Sequence, residues 1–161
     1  MQPRTRVLIS AGILFCLTAL PAQTAVHAAR SLPDDPDARP PVTKADVRIV
    51  QRARKILDSP SKWNRADTRV CAPEAATFSL YCALEKATDE MTGNFEHRSA
   101  AMQEARFVID EIAPNRSHYQ HRLMDYNNDP TTSFSDIQRA LRLLENRIVK
   151  RLKEQSADDK K

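Results

Sequence analysis

Three groups of side chains in this 161-residue chain have types and spacings that could do chemistry. The first is His118, His121 and Asp125. On a helix over residues 117–126 the two imidazoles share a face at i, i+3, and Asp125 lies one turn past His121. Two imidazoles and a carboxylate can hold zinc or copper and leave one position open for water. The second is Cys71, a thiol that could pair with His97 or His118 as nucleophile and base. The third is the polar run YNNDPTTSFSDI, residues 126–137, with Trp63. Loops on rigid scaffolds often carry binding, so Trp63, Tyr126, Asn127, Asn128 and Asp129 are candidate partner contacts.

Each group also has a plainer reading. His-x-x-His recurs by chance in polar segments, and Tyr119, Gln120 and Arg122 make this one look solvent-facing. Ser133 stands just before an apolar-periodic run and Asp136 follows three residues later, an acidic form of the capping box. Asn127, Asn128 and Asp129 can each make local side-chain-to-backbone turns, and Pro130 holds Asp129 extended. The run therefore reads first as the start of a helix. Only Gly12 and Gly93 occur, which excludes a glycine-rich phosphate loop and a glycine-flanked serine nucleophile. No cofactor is expected.

The N-terminus dictates where these groups would work. Arg4 and Arg6 precede an almost wholly apolar run over residues 7–20, followed by small residues as far as Ala28. This is the pattern of a cleaved export signal over residues 1–28. At 14 residues the apolar run is short for a membrane span, which needs about 20. The protein is thus expected outside the cytoplasm, periplasmic or secreted, without membrane association once the leader is gone. Loss of Arg4 and Arg6 takes the 25 basic residues to 23 against 21 acids, a net charge of +2. With so few aromatic residues, neither nucleic-acid binding nor a base-stacking platform is expected.

Cys16 leaves with the leader, so Cys71 and Cys82 remain. An even pair in an exported protein suggests a bridge. If Pro73 opens a helix, Cys82 lies about 13.5 Å along its axis. Cys71 can reach back only about 7 Å of that. The remaining gap of roughly 6.5 Å is at the limit for a disulfide. A helix beginning nearer Ala76 relaxes this. The alternative is a buried Cys82 and a free or partnered Cys71.

The elements that must position these groups are helices. Residues 29–42 are rich in proline and aspartate and read as a linker. Residues 154–161 read as a polar tail. Between them, over residues 43–153, apolar spacing near 3.6 predicts an all-α single domain, a small bundle of four to five helices. Thr43 caps the first, with Ile49, Val50, Ala53, Ile56 and Leu57 inward and Ser59-Pro60 as its stop. The second is expected from Pro73 or Glu74 to Met91, the third over residues 98–112, a short fourth over 117–126 and the last over 134–152. The basic residues of the first helix are expected to form a solvated face paired with the acidic second helix. Arg139, Arg142, Arg147, Lys150 and Arg151 are expected to form a solvated face on the last.

These pieces resemble a family of small helical bacterial proteins known only as a domain of unknown function. RARKIL with Trp63 resembles its Ala-rich first helix and following tryptophan. YCALEKA, residues 81–87, resembles its Cys-Ala-Leu helix. YNND, residues 126–129, with residues 133–137, resembles its Trp-Asn-Asp segment and capped last helix. Tyr126 stands where the family has Trp, the usual Gly of the second helix is missing, and an export leader is unusual there. The resemblance implies the fold and no reaction. The expected function is that of an exported, non-enzymatic protein that binds a partner protein, of the inhibitor, immunity or accessory-subunit type. The alternative is a small metal-dependent or thiol enzyme built on His118, His121 and Asp125 or on Cys71.

Overall fold

Thr43 opens the first helix with its own side chain. Its Oγ1 accepts the Ala45 N–H at 3.2 Å, while the Asp46 carboxylate accepts the Thr43 N–H at 2.8 Å. Such caps are worth about 1 kcal/mol. The other oxygen of the buried Asp46 accepts the Ala101 N–H at 3.1 Å, so one carboxylate caps two helices.

The computed structural model describes residues 37–158. The expected leader over residues 1–28, and the first part of the expected linker, lie outside the described residues. Among the described residues the architecture is all-α, with five α-helices: α1 Lys44–Ile56, α2 Leu80–Thr92, α3 Ala100–Ile112, α4 Arg122–Asn128 and α5 Phe134–Asp158. Helix α1 packs on α2 and α5, and α3 packs on α5 and α4. The apolar stripes read from the sequence form the core. Ile49, Val50, Ala53, Ile56 and Leu57 are buried. They meet Met102, Ala105, Val108 and Ile109 of α3 and Ile137, Leu141, Leu144 and Ile148 of α5. Each buried aliphatic side chain contributes about 1.5–3 kcal/mol. Arg52 of α1 pairs with Glu90 of α2 at 2.5 Å, as the charge pattern implied.

Four boundaries differ from expectation. Helix α2 starts at Leu80, not near Pro73. Phe78 is held instead by Trp63's neighbours: its N–H donates to the Lys62 carbonyl at 2.8 Å and its carbonyl accepts the Asn64 N–H at 2.9 Å. Ser79 then caps α2 by accepting the Cys82 N–H. The chain before it returns along the helix, and Cys71 and Cys82 form a disulfide with Cα atoms 5.2 Å apart. Helix α3 starts at Ala100, two residues late, because Asp46 caps it from α1. The expected helix over residues 117–126 divides into a 3-10 turn, Arg116–His118, and α4. Asp125 ends the break by accepting the Gln120 and His121 N–H groups, each at 2.6 Å.

The fourth difference is the C-terminus. Residues 154–158, expected as polar tail, continue α5. The Gln155 amide closes two hydrogen bonds with the Val42 backbone, at 3.2 and 3.4 Å. Val42 is itself buried, and the Ala38 and Pro40 carbonyls accept from Gln103 and Arg151. Residues 37–42 thus run against the domain rather than as a free linker. Among the described residues, no helix is long and apolar enough to cross a membrane.

Candidate functional site

Phe107 of α3 separates two sets of arginines. Its ring lies under Arg39 at 4.1 Å and under Arg122 and Arg147 at 5.8 Å each. On one side, toward α5, Glu104 is fully buried. It accepts from Arg147 at 2.6 Å and from Arg151, while Arg147 also reaches Glu111. The expected solvated basic face of α5 is therefore partly internal. Burying a carboxylate is costly unless it is paired and hydrogen-bonded, as it is here.

On the other side opens a cleft of about 260 Å³. Five arginines line it: Arg69, Arg98, Arg106, Arg116 and Arg122. His97, His121, Tyr81, Gln103 and Gln120 add polar groups and Leu123 and Met124 apolar ones, and no carboxylate lines it among the described residues. The residues come from the segment before the disulfide, from α2, from the turn before α3, from α3 and from the region around α4. Asp110 pairs with both Arg116 and Arg122, and Asp37 pairs with Arg122 at 3.0 Å.

Arg69 and Arg106 are different. Arg106 of α3 donates to Gln103 Oε1 and, at 3.0 Å, to His97 Nε2. Both partners are neutral acceptors. A guanidinium can only donate, so Nε2 accepts and the proton of the neutral imidazole lies on Nδ1, 3.3 Å from Tyr81 Oη. Burial lowers the Arg106 pKa to about 10, still fully charged at neutral pH. Burial also holds His97 below the ordinary imidazole range, with the Arg106, Arg69 and Arg98 cations adding to it. Burial, and then Glu85, push Tyr81 upward. The Arg69 guanidinium makes no ion pair with any described residue. Its backbone has φ 59°, the left-handed region that a non-glycine residue rarely enters. Asp67 Oδ1 holds its N–H at 2.7 Å, and the disulfide anchors the chain two residues later. Strain of about 1–3 kcal/mol at one residue persists only where its surroundings fix it, and it clusters at functional positions.

The residues singled out from the sequence are distributed unevenly about this cleft. His121 lines it, but His118 does not, and the Asp125 carboxylate is spent on the backbone N–H groups of Gln120 and His121, just before α4. Among the described residues, no group of three or more His, Cys, Asp or Glu is placed to hold a metal ion. Helical spacing assumed one continuous helix where the chain breaks after His118. Cys71 is in the disulfide, so it offers no thiolate to His97 or His118.

Trp63 and residues 126–129 do come together, by bonds within the fold. Asn127 is fully buried. Its Oδ1 accepts from Trp63 Nε1 at 2.8 Å and from the Leu80 N–H at 3.0 Å; its Nδ2 donates to the Asn64 and Arg65 carbonyls. The exposed Asn128 pairs its amide with the Asp67 backbone in both directions. These are bonds across the chain, not the local turns expected of these amides, because both residues lie on α4. Asp129 does make the expected local turn with Thr131. It also accepts from Asn115 and from Tyr119 Oη, and these bonds hold its carboxyl well below the usual range. Burial raises the Tyr126 phenol to about 12. Ser133 and Asp136 form the expected capping box.

The cleft arginines were not legible in advance. They are spread over residues 69–122, and the only local signal is Gln103 with Arg106, one helical turn apart.

A model of a family of unknown function, DUF6197, matches residues 41–147 of this chain, more than half of it. The chain belongs to DUF6197. The resemblance carried by Trp63, YCALEKA and YNND is thereby borne out. The DUF6197 span includes every described residue that lines the cleft. No curated protein and no solved structure matches the chain.

Proposed function

We propose that this DUF6197 member is an exported, non-enzymatic binding protein that captures an anionic group of its partner in the arginine-lined cleft. The observation that carries this reading is the charge imbalance: two guanidiniums, Arg69 and Arg106, face a cleft lined by no described carboxylate. The half-buried Arg106 is a cation of the kind normally paired within a fold, and the exposed Arg69 lines the same cleft. Leaving two open, one on a strained backbone, is the arrangement of a site whose counter-charge arrives with a ligand. The disulfide supports an oxidising compartment, as does the leader-like N-terminus.

The test is a photo-crosslinker at Met124, which lines the cleft, in the protein expressed by its own host. The expected result is a discrete adduct with one partner outside the cytoplasm, lost when Arg106→Gln is introduced. An adduct that persists in Arg106→Gln, or a mature protein that keeps residues 1–28 and stays in the cytoplasm, overturns the reading.

A further inference from the structure

We infer that the group taken by the cleft is a tetrahedral dianion of the phosphate-monoester class, held between Arg69 and Arg106. This rests on the binding reading above and names its ligand. Charge is the first reason. Arg116 and Arg122 already share Asp110, and Arg122 also has Asp37, whereas Arg69 and Arg106 have no described carboxylate. Two open positive charges are matched by two negative ones, and a single carboxylate would leave one cation over.

Shape is the second reason. A carboxylate is planar and offers one edge to one guanidinium fork. Arg69 comes from the segment before Cys71 and Arg106 from α3, so they approach from different elements. A phosphoryl group presents three oxygens in three directions and accepts from both forks at once. Beside them the neutral His97 ring carries its proton on Nδ1, 3.3 Å from Tyr81 Oη, and this N–H can turn to a third oxygen.

Size is the third reason. Pockets for drug-sized ligands run to about 300–1,000 Å³. At about 260 Å³ this one admits a headgroup and leaves the bearer outside.

The experiment is calorimetric titration of the disulfide-bonded protein with inorganic phosphate at pH 7.5 and constant ionic strength, with acetate as the planar control. Saturable one-to-one binding of phosphate, not displaced by acetate, is expected. Arg106→Gln and Arg69→Gln should each weaken it about tenfold or more, the range for a lost charged hydrogen bond. Arg142→Gln, on the exposed face of α5, should leave it unchanged. Arg69 is exposed and outside the core, so its variant tests the site even where Arg106→Gln proves unfolded by circular dichroism. Phosphoserine against glycerol phosphate then separates the sources, a phosphorylated side chain or a phosphorylated lipid or sugar. No saturation at millimolar phosphate, equal binding of acetate, or indifference to both arginine variants overturns the inference. If phosphate fails while the Met124 adduct still depends on Arg106, the ligand class is wrong and the binding reading stands. If both fail, the cleft is not the site.

Discussion

Two clusters of arginine lie within two residues of each other on α3 and have opposite electrostatic designs. Around Glu104 a buried carboxylate is enclosed by Arg147 and Arg151, and the charges close on themselves. Around Arg106, one half-turn on, the cation meets only Gln103 and His97. The same residue type thus serves two purposes on one helix. Closed charge holds α3 to α5. Open charge meets only neutral partners in the free protein and is available to something else. An arginine count cannot separate these roles, but the location of the counter-charge does.

The sharpest way to break the contrast is to substitute both sides. Glu104→Ala should remove about 3–5 kcal/mol of stability in a urea titration, because it takes away the fully buried carboxylate that two half-buried guanidiniums share. Arg106→Gln should cost about 1–2 kcal/mol, clearly less, because it breaks only hydrogen bonds to the neutral partners Gln103 and His97. Equal losses at the two sites would mean that Arg106 is structural and that the contrast is false.

Next in size is the disulfide. The Cys71→Ser, Cys82→Ser double variant opens a loop spanning 11 residues in sequence and should lose about 3 kcal/mol. It should also weaken phosphate binding, since Arg69 is then held only through Asp67. Loss of stability with unchanged affinity would show that the bridge does not position Arg69.

Asn127→Ala sharpens the comparison from the neutral side. It strands the Trp63 indole N–H and the Leu80 N–H, and should lose about 2 kcal/mol, with a shift in the fluorescence of the single tryptophan. Cleft affinity should not change, because none of these groups lines the cleft. A fall in affinity would tie the two regions together.

The smallest expected effect is the pH dependence of the cleft. His97 is faced by Tyr81, Arg106, Arg69, Arg98 and His121, and it is kept neutral by burial and by those cations. For the free protein, a depressed imidazole pKa means that its stabilising contribution is full above the ordinary range near 6.5 and is lost as pH falls through the lower folded value. A bound dianion reverses the local field and favours the imidazolium. Binding then takes up a proton, and affinity rises as pH falls. Sulfate, dianionic throughout, should bind roughly several-fold tighter at pH 5.5 than at pH 7.5. His97→Gln should flatten the profile; a flat profile in the unaltered protein would remove His97 from the site.

How far all this could be read from the chain depended on the range of each interaction. The stripes of α1 and α5 and the caps at Thr43 and Ser133 are set by residues within one turn, and they were legible. Pro73 suits a first helical turn just as well as Leu80 suits a later one. The choice was made by Phe78 pairing with Lys62 and Asn64, some 15 residues away, which no window on α2 contains. Asn127 and Asn128 looked like turn formers because their partners, Trp63, Leu80 and Asp67, are distant. The cleft is the extreme case. Its arginines are ordinary one by one, and what distinguishes Arg69 and Arg106 is a carboxylate that is not beside them.

The Gln155 clasp on Val42 has a topological consequence. It brings the last turns of α5 against the strand of chain that leads into α1, so a short polar tether could join these ends and close the domain into a ring. Opened instead at the exposed turn after α2, between Gly93 and Asn94, the rearranged chain would begin with α3 and end with α2, with every helix keeping its neighbours. Such a circular permutant should fold and keep both arginine clusters. It would also place new ends close in sequence to His97, a convenient point for attaching a label beside the cleft.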